Sequence, residues 1–197
     1  MTFRFNSLRT AVLVPALALA GCISFGPEPP PSLLTLTPTN LLPAGASAAG
    51  NQASALAMVE FETPQKLAVT RVPVQVTDSE VAYLKDAVWV EPPARLLRRL
   101  IAETVRAGTG RVVIDGDDPG VYADTRLSGV VREFGYDAQT SSVVLRFDAV
   151  RAGEGSEVTT RRFEAIIPGI TPDVVAVGPA LNQAANQVAA DVAAWIG

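Results

Sequence analysis

The chain has 197 residues, a formal charge of −4, a single cysteine and no histidine. The missing histidine excludes Ser-His-Asp, Cys-His and histidine-ligated metal chemistry, and the lone cysteine excludes an intrachain disulfide. The acidic balance makes nucleic acid and anionic lipid surfaces poor partners.

In chain order, Arg4 and Arg9 open a basic start. An apolar run over 8–19, interrupted by Arg9 and Thr10, follows, and a small-residue segment closes on Leu19-Ala20-Gly21-Cys22. This order reads as an export signal, too short to span a bilayer comfortably. A buried helix, or a plain cleavable signal beside a chance cysteine, is the bland alternative. Residues 19–22 resemble the bacterial lipobox. That resemblance implies cleavage before Cys22, a diacylglycerol thioether on its sulfur and usually a third acyl chain on the new N-terminus. Two or more acyl chains anchor firmly where one does not. Residue 23 is Ile, not the Asp that commonly retains such proteins at the inner membrane, which favours the outer one. Loss of Arg4 and Arg9 would take the formal charge to about −6. The expected organisation is a signal over 1–21, a Pro-rich tether with a candidate first strand and a flexible loop over 22–54, and a folded domain over 55–197.

Prolines at 27, 29, 30 and 31 give the tether a semi-extended character. Residues 33–38 alternate weakly, as a first strand would. Residues 39–54 are rich in Ala, Gly, Ser, Asn and Gln, which bury little. Short strands are predicted at 55–61, 66–76 and 80–84, with Pro73 marking an edge strand or a break. Pro92-Pro93 predicts a helix start, and an apolar face through Leu97, Leu100, Ile101 and Val105 carries it to about 107, ended by Gly108 and Gly110. A strand over 111–115 and a turn containing Asp115, Asp117 and Asp118 follow. Strands at 125–136, 142–151 and 157–167 read as an antiparallel meander, with Leu127, Val131, Val143, Leu145, Phe147 and Phe163 inward. A last helix spans about 173–195, begun by Thr171-Pro172-Asp173 and either kinked or restarted at Gly178-Pro179. The fold class expected is α+β, a mostly antiparallel sheet with two principal helices packed on one face.

Chemistry is sparse. The aspartates at 115, 117 and 118 fit a solvated turn better than a calcium loop, because no distal Glu stands at the spacing of an EF-hand. No glycine-rich loop ends in Lys-Ser or Lys-Thr. No cofactor and no metal are expected, and no carboxylate pattern singles out a hydrolase. Trp89, Glu91, Arg95, Arg98 and Arg99 are candidate partner contacts around the first helix start, although packing of Trp89 and solvation of the arginines are the simpler roles. The amides Asn182, Gln183, Asn186 and Gln187 read as surface or as an interface.

Several short stretches carry a family resemblance: Leu34-Thr35-Leu36-Thr37-Pro38, Arg71-Val72-Pro73-Val74-Gln75, Tyr83-Leu84-Lys85-Asp86-Ala87, and Trp89-Val90-Glu91-Pro92-Pro93-Ala94-Arg95. Further along come Leu127-Ser128-Gly129, Phe134-Gly135-Tyr136-Asp137, Arg146-Phe147-Asp148-Ala149, and 180–186 running on to Trp195. In this order, behind a lipobox, they resemble the ABC-type transport auxiliary lipoproteins, the group that includes the PqiC-like proteins. The sequence departs at Leu34 and Leu36, where relatives often carry an aromatic, and in the low-complexity 39–54 loop. The resemblance implies a small α+β module without catalytic residues. It also implies a lipid-anchored periplasmic partner of an MCE-domain protein with its separate ABC permease and ATPase, systems thought to move phospholipid or other apolar molecules between the membranes. It leaves room for phospholipid contact and for a homo-oligomer, since some members assemble into rings. A structural or protein-binding envelope lipoprotein without a transport role is the alternative.

Overall fold

The computed structural model describes residues 30–116, 122–153, 155 and 157–197. Cys22, Ile23, Asp117 and Asp118 lie outside these residues, so the anchor and most of the acidic turn are not described. The elements run β1 (Leu56–Met58), β2 (Arg71–Thr77), β3 (Glu80–Val88), α1 (Pro93–Thr109), β4 (Val113–Asp115), β5 (Thr125–Asp137), β6 (Ser142–Ala152), β7 (Val158–Pro168) and α2 (Val174–Ile196).

The sheet is mixed, which corrects the mostly antiparallel sheet expected from the sequence. β1 runs parallel to both β4 and β5, and β2 runs parallel to β5. Isolated parallel bridges join Leu34 to Trp89 and Glu62 to Val130. The antiparallel pairs are β2–β3, β5–β6 and β6–β7. The reason lies in β5. One edge pairs with β6 along its whole length, while the other takes β1 at Thr125–Leu127, Glu62 at Val130 and β2 at Tyr136–Asp137 in succession. Two strands laid end to end along one neighbour in the same direction need crossovers, and α1 supplies the one that returns the chain to β4 beside β1. Such pairings join residues far apart in sequence and last two or three residues each. They leave no alternation to read, unlike the meander with its tight connections.

Local details follow from particular residues. Pro73 does not make β2 an edge strand, because β2 lies between β3 and β5. It sits instead at a register shift, where the missing N–H is tolerated. The expected first strand reduces to the single bridge at Leu34. α1 begins at Pro93 behind Pro92 and ends at Gly110, whose φ of 67° gives the left-handed cap, with Gly108 inside the helix. α2 starts at Val174, not at Pro179, because Asp173 caps it by accepting from Ala176 N–H at 2.9 Å. Pro179 is carried within the helix.

Both helices and the inward sheet residues share one hydrophobic core. The six predicted core positions of the meander are all buried. A bulge between Val131 and Glu133 switches the inward parity of β5, so that Leu127 and Val131 before it and Phe134 and Tyr136 after it all face the helices. The same bulge leaves Arg132 and Glu133 together on the opposite, outer face.

Candidate functional site

The residues before and within the first turns of α1 cluster, but each is already engaged. Trp89 is 2 % exposed, with its ring 5.3 Å from Phe134. Its main chain is fixed from both sides, by Trp89 N–H donating to Thr70 O at 2.7 Å and by the bridge to Leu34. The buried indole Nε1–H has no acceptor among the described residues. Glu91 accepts from both guanidinium nitrogens of Arg99 at 2.5 and 3.0 Å, a bidentate pair across the helix start. Arg95 reaches Glu60 at 3.4 Å. The side chains of Arg98 and Asp115, 16 % and 13 % exposed, form an ion pair at 3.0 Å. Asp115 therefore ties the end of β4 to α1. Arg95 and Arg99 stay on the surface, whereas Trp89 and Arg98 lie beneath it. Beside this cluster, a depression of about 400 Å³ opens between α1 and the N-terminal segment, with Leu36, Leu41, Leu96, Arg99 and Glu103 in its walls.

A second constellation is set by the asparagines of α2. Asn182 and Asn186 stand one turn apart on the same helix face. Asn182 Oδ1 accepts from Thr37 N–H at 2.8 Å. Asn186 Nδ2 donates to Thr37 O at 2.9 Å, while its Oδ1 accepts from Thr39 N–H at 2.8 Å and from the Thr39 hydroxyl at 2.7 Å. One side-chain amide thus reads the C=O of residue 37 and the N–H of residue 39, as the main chain of a neighbouring strand would. Upstream, Leu34 packs on Gly178, where an added Cβ would stand 3.0 Å from Leu34 Cδ2. Downstream, Leu42 N–H donates to Glu103 Oε1 at 3.0 Å. Residues 34–42 form a strap across α2 and onto α1. The four-residue spacing of the two asparagines was the sequence signal for it, but nothing in the sequence paired them with residues 145 and 147 positions away.

The outer face of β5–β6–β7 carries two rows of alternating charge. Asp148 lies between Arg132, at 2.9 Å, and Arg162, at 2.6 Å. Arg146 lies between Glu133, at 2.8 Å, and Glu164, at 2.5 Å. The hydrogen bonds from Arg162, opposed by partial desolvation and reinforced by Arg132, hold the Asp148 carboxyl well below the usual carboxylate range. Among the described residues no group of three His, Cys, Asp or Glu is placed to hold a metal. No helix among them is long and apolar enough to cross a membrane.

Residues 35–193 match the family described as the ABC-type transport auxiliary lipoprotein component. The chain belongs to this family. It is a non-enzymatic auxiliary component of an ABC-type transport system, of periplasmic, membrane-associated type. No match is found among curated proteins. Two solved structures share the fold of this auxiliary component. Protein XCC0632 from Xanthomonas campestris aligns at TM-score 0.64 and 23% identity, covering 83% of this chain and 92% of its own. An uncharacterized protein aligns at TM-score 0.63 and 16% identity, covering 84% and 100%.

Proposed function

We propose that this auxiliary component is lipid-anchored through Cys22, faces the periplasm from the outer membrane, and serves an MCE-type ABC system that carries phospholipid or another apolar molecule between the membranes. Its work is positional. Lipid fixes one end, the Pro-rich segment gives reach, and the folded domain docks the MCE-domain protein that travels with the permease and ATPase. The observation that carries this reading is the family match over residues 35–193, and the resemblance of residues 19–22 to a lipobox upstream of it supports the anchor. Ile23 in place of Asp supports the outer-membrane address.

Arg95 and Arg99 are the members of the α1 cluster offered to the partner, with Glu91 orienting Arg99 and with Trp89 and Arg98 holding the helix end from below. Crosslinking in intact envelopes followed by affinity capture tests the reading. MCE-domain protein, permease and ATPase should be recovered together with phospholipid. A partner set free of transporter subunits overturns it in favour of a structural envelope lipoprotein. Ile23→Asp should move the protein toward the inner membrane, and unchanged fractionation would remove the sorting argument.

A further inference from the structure

We infer that the end of the domain bearing Leu33, Val90 and Val175 is the face that rests on the bilayer, and that docking of the chain at Leu34 keeps it there. The inference deepens the proposed function, since it rests on Cys22 as the point of lipid attachment.

Three exposed apolar side chains surround the point where the strap begins. Leu33 is 51 % exposed, Val90 49 % and Val175 81 %. Each is tied to Leu34. Leu33 precedes it, and Val90 N–H donates to Leu34 O at 2.9 Å. Val175 stands about one helical turn before Gly178, against which Leu34 packs. Singly such residues are ordinary; grouped where a lipid-anchored chain enters the domain, they form a surface suited to the headgroup–acyl boundary.

Chain length makes the argument selective. About eleven residues separate Cys22 from Leu33. Even fully extended they span at most about 40 Å. A folded unit of this size has a radius of gyration of about 15 Å and is about 40 Å across. To bring the far side to the membrane, the chain would have to travel roughly half the circumference, about 60 Å on those dimensions. While the chain is docked at Leu34, the far side is therefore kept off the bilayer, and the three exposed apolar side chains mark the end that meets it. Without the strap contacts and the bridge at Leu34, the next main chain built into the sheet is β1 at Leu56. The free chain would then reach more than about 100 Å, enough to present any face. Docking of the chain at Leu34 thus decides which faces can reach the membrane.

The test uses the full lipidated chain reconstituted in phosphatidylethanolamine/phosphatidylglycerol vesicles. Cys22 is the only native cysteine, and its sulfur is consumed by lipidation in this reading, so an introduced thiol takes an environment-sensitive probe alone. Val175→Cys should show blue-shifted emission and quenching by spin-labelled lipid. Thr160→Cys, exposed on β7, should show neither. Protein that floats with vesicles while the Val175 probe stays as aqueous as the Thr160 probe overturns the inference and leaves the anchor intact. Protein that does not float overturns the anchor and the inference with it. In a second step, a flexible insert of about 30 Gly/Ser residues between Gly26 and Pro27 lengthens the reach, and should retain flotation but weaken the Val175 quenching. Quenching that persists undiminished with the insert removes the short tether as the cause of the orientation.

Discussion

At the scale of single residues, the ionic groups divide by depth. Arg98 and Asp115 are mostly withdrawn from water and hold β4 to α1. Removing one partner of such a pair strands the other charge, so Asp115→Ala should cost about 3 kcal/mol, measured as a shift in urea midpoint at constant slope. The sequence displayed Asp115 as the first member of an acidic turn, and only the fold turns it toward a helix. Asp148 is different: it lies on the open sheet face, and its value is visible through pH. Its carboxyl is held low by Arg162, and by Arg132 after the opposing effect of desolvation. The folded protein therefore prefers the charged form more than the unfolded chain does. That stability is present above the unfolded carboxylate range, near pH 4, and is lost as pH falls below it. Urea titrations from pH 7 to pH 2.5 should show a steeper acid loss for the native chain than for Asp148→Asn. Parallel curves would mean that the arginines do not hold Asp148 in solution.

At the scale of elements, glycines separate tight packing from open space. An added Cβ at Gly129 would lie 2.7 Å from the Phe147 ring and against the Asp148 carbonyl. Gly129→Ala should therefore destabilise by about 2 kcal/mol. Gly108 lies inside α1 with nothing within 4 Å of the same atom. Gly108→Ala should stabilise by about 0.5–1 kcal/mol through helix propensity. The opposite signs, read as shifts in Tm, test the packing of β5 on β6. The elements themselves were largely legible. Both long helices carry caps and spacing, and β5, β6 and β7 carry alternation that ends at turns. Their assembly was legible only where it was local. β1 and β4 are three residues long, and they meet β5 through parallel pairs that no short-range pattern records. The bulge in β5 was hidden too, since Arg132-Glu133 reads as a lapse in alternation until Asp148 and Arg146 stand opposite. Of the candidate site, the packing role of Trp89 was readable from its place before the helix, whereas the pairing of Glu91 with Arg99 and the burial of Arg98 against Asp115 depended on the fold.

At the scale of the whole molecule, the strap makes the N-terminal segment part of the domain. Leu34 and Leu36 pack against the core from positions upstream of the first sheet strand. Deleting residues 30–42 should leave the helices and the meander in place, with unchanged far-UV circular dichroism. It should lower stability by about 3 kcal/mol, from the lost burial of two leucines and the hydrogen bonds of Thr37, Thr39 and Leu42. Fluorescence of Trp89 should move to the red as Leu34 leaves its main chain. The strap also imposes an order of events on biogenesis. Residues 37 and 39 emerge early from any ribosome or export channel, while Asn182 and Asn186 come nearly 150 positions later. Arg111 adds to the delay, because it joins Ser54 O and Ala55 O to Ile196 O near the end of α2. Contacts of such separation are slow to close. The beginning of the chain must therefore wait, undocked and open to proteases, until the last helix has arrived.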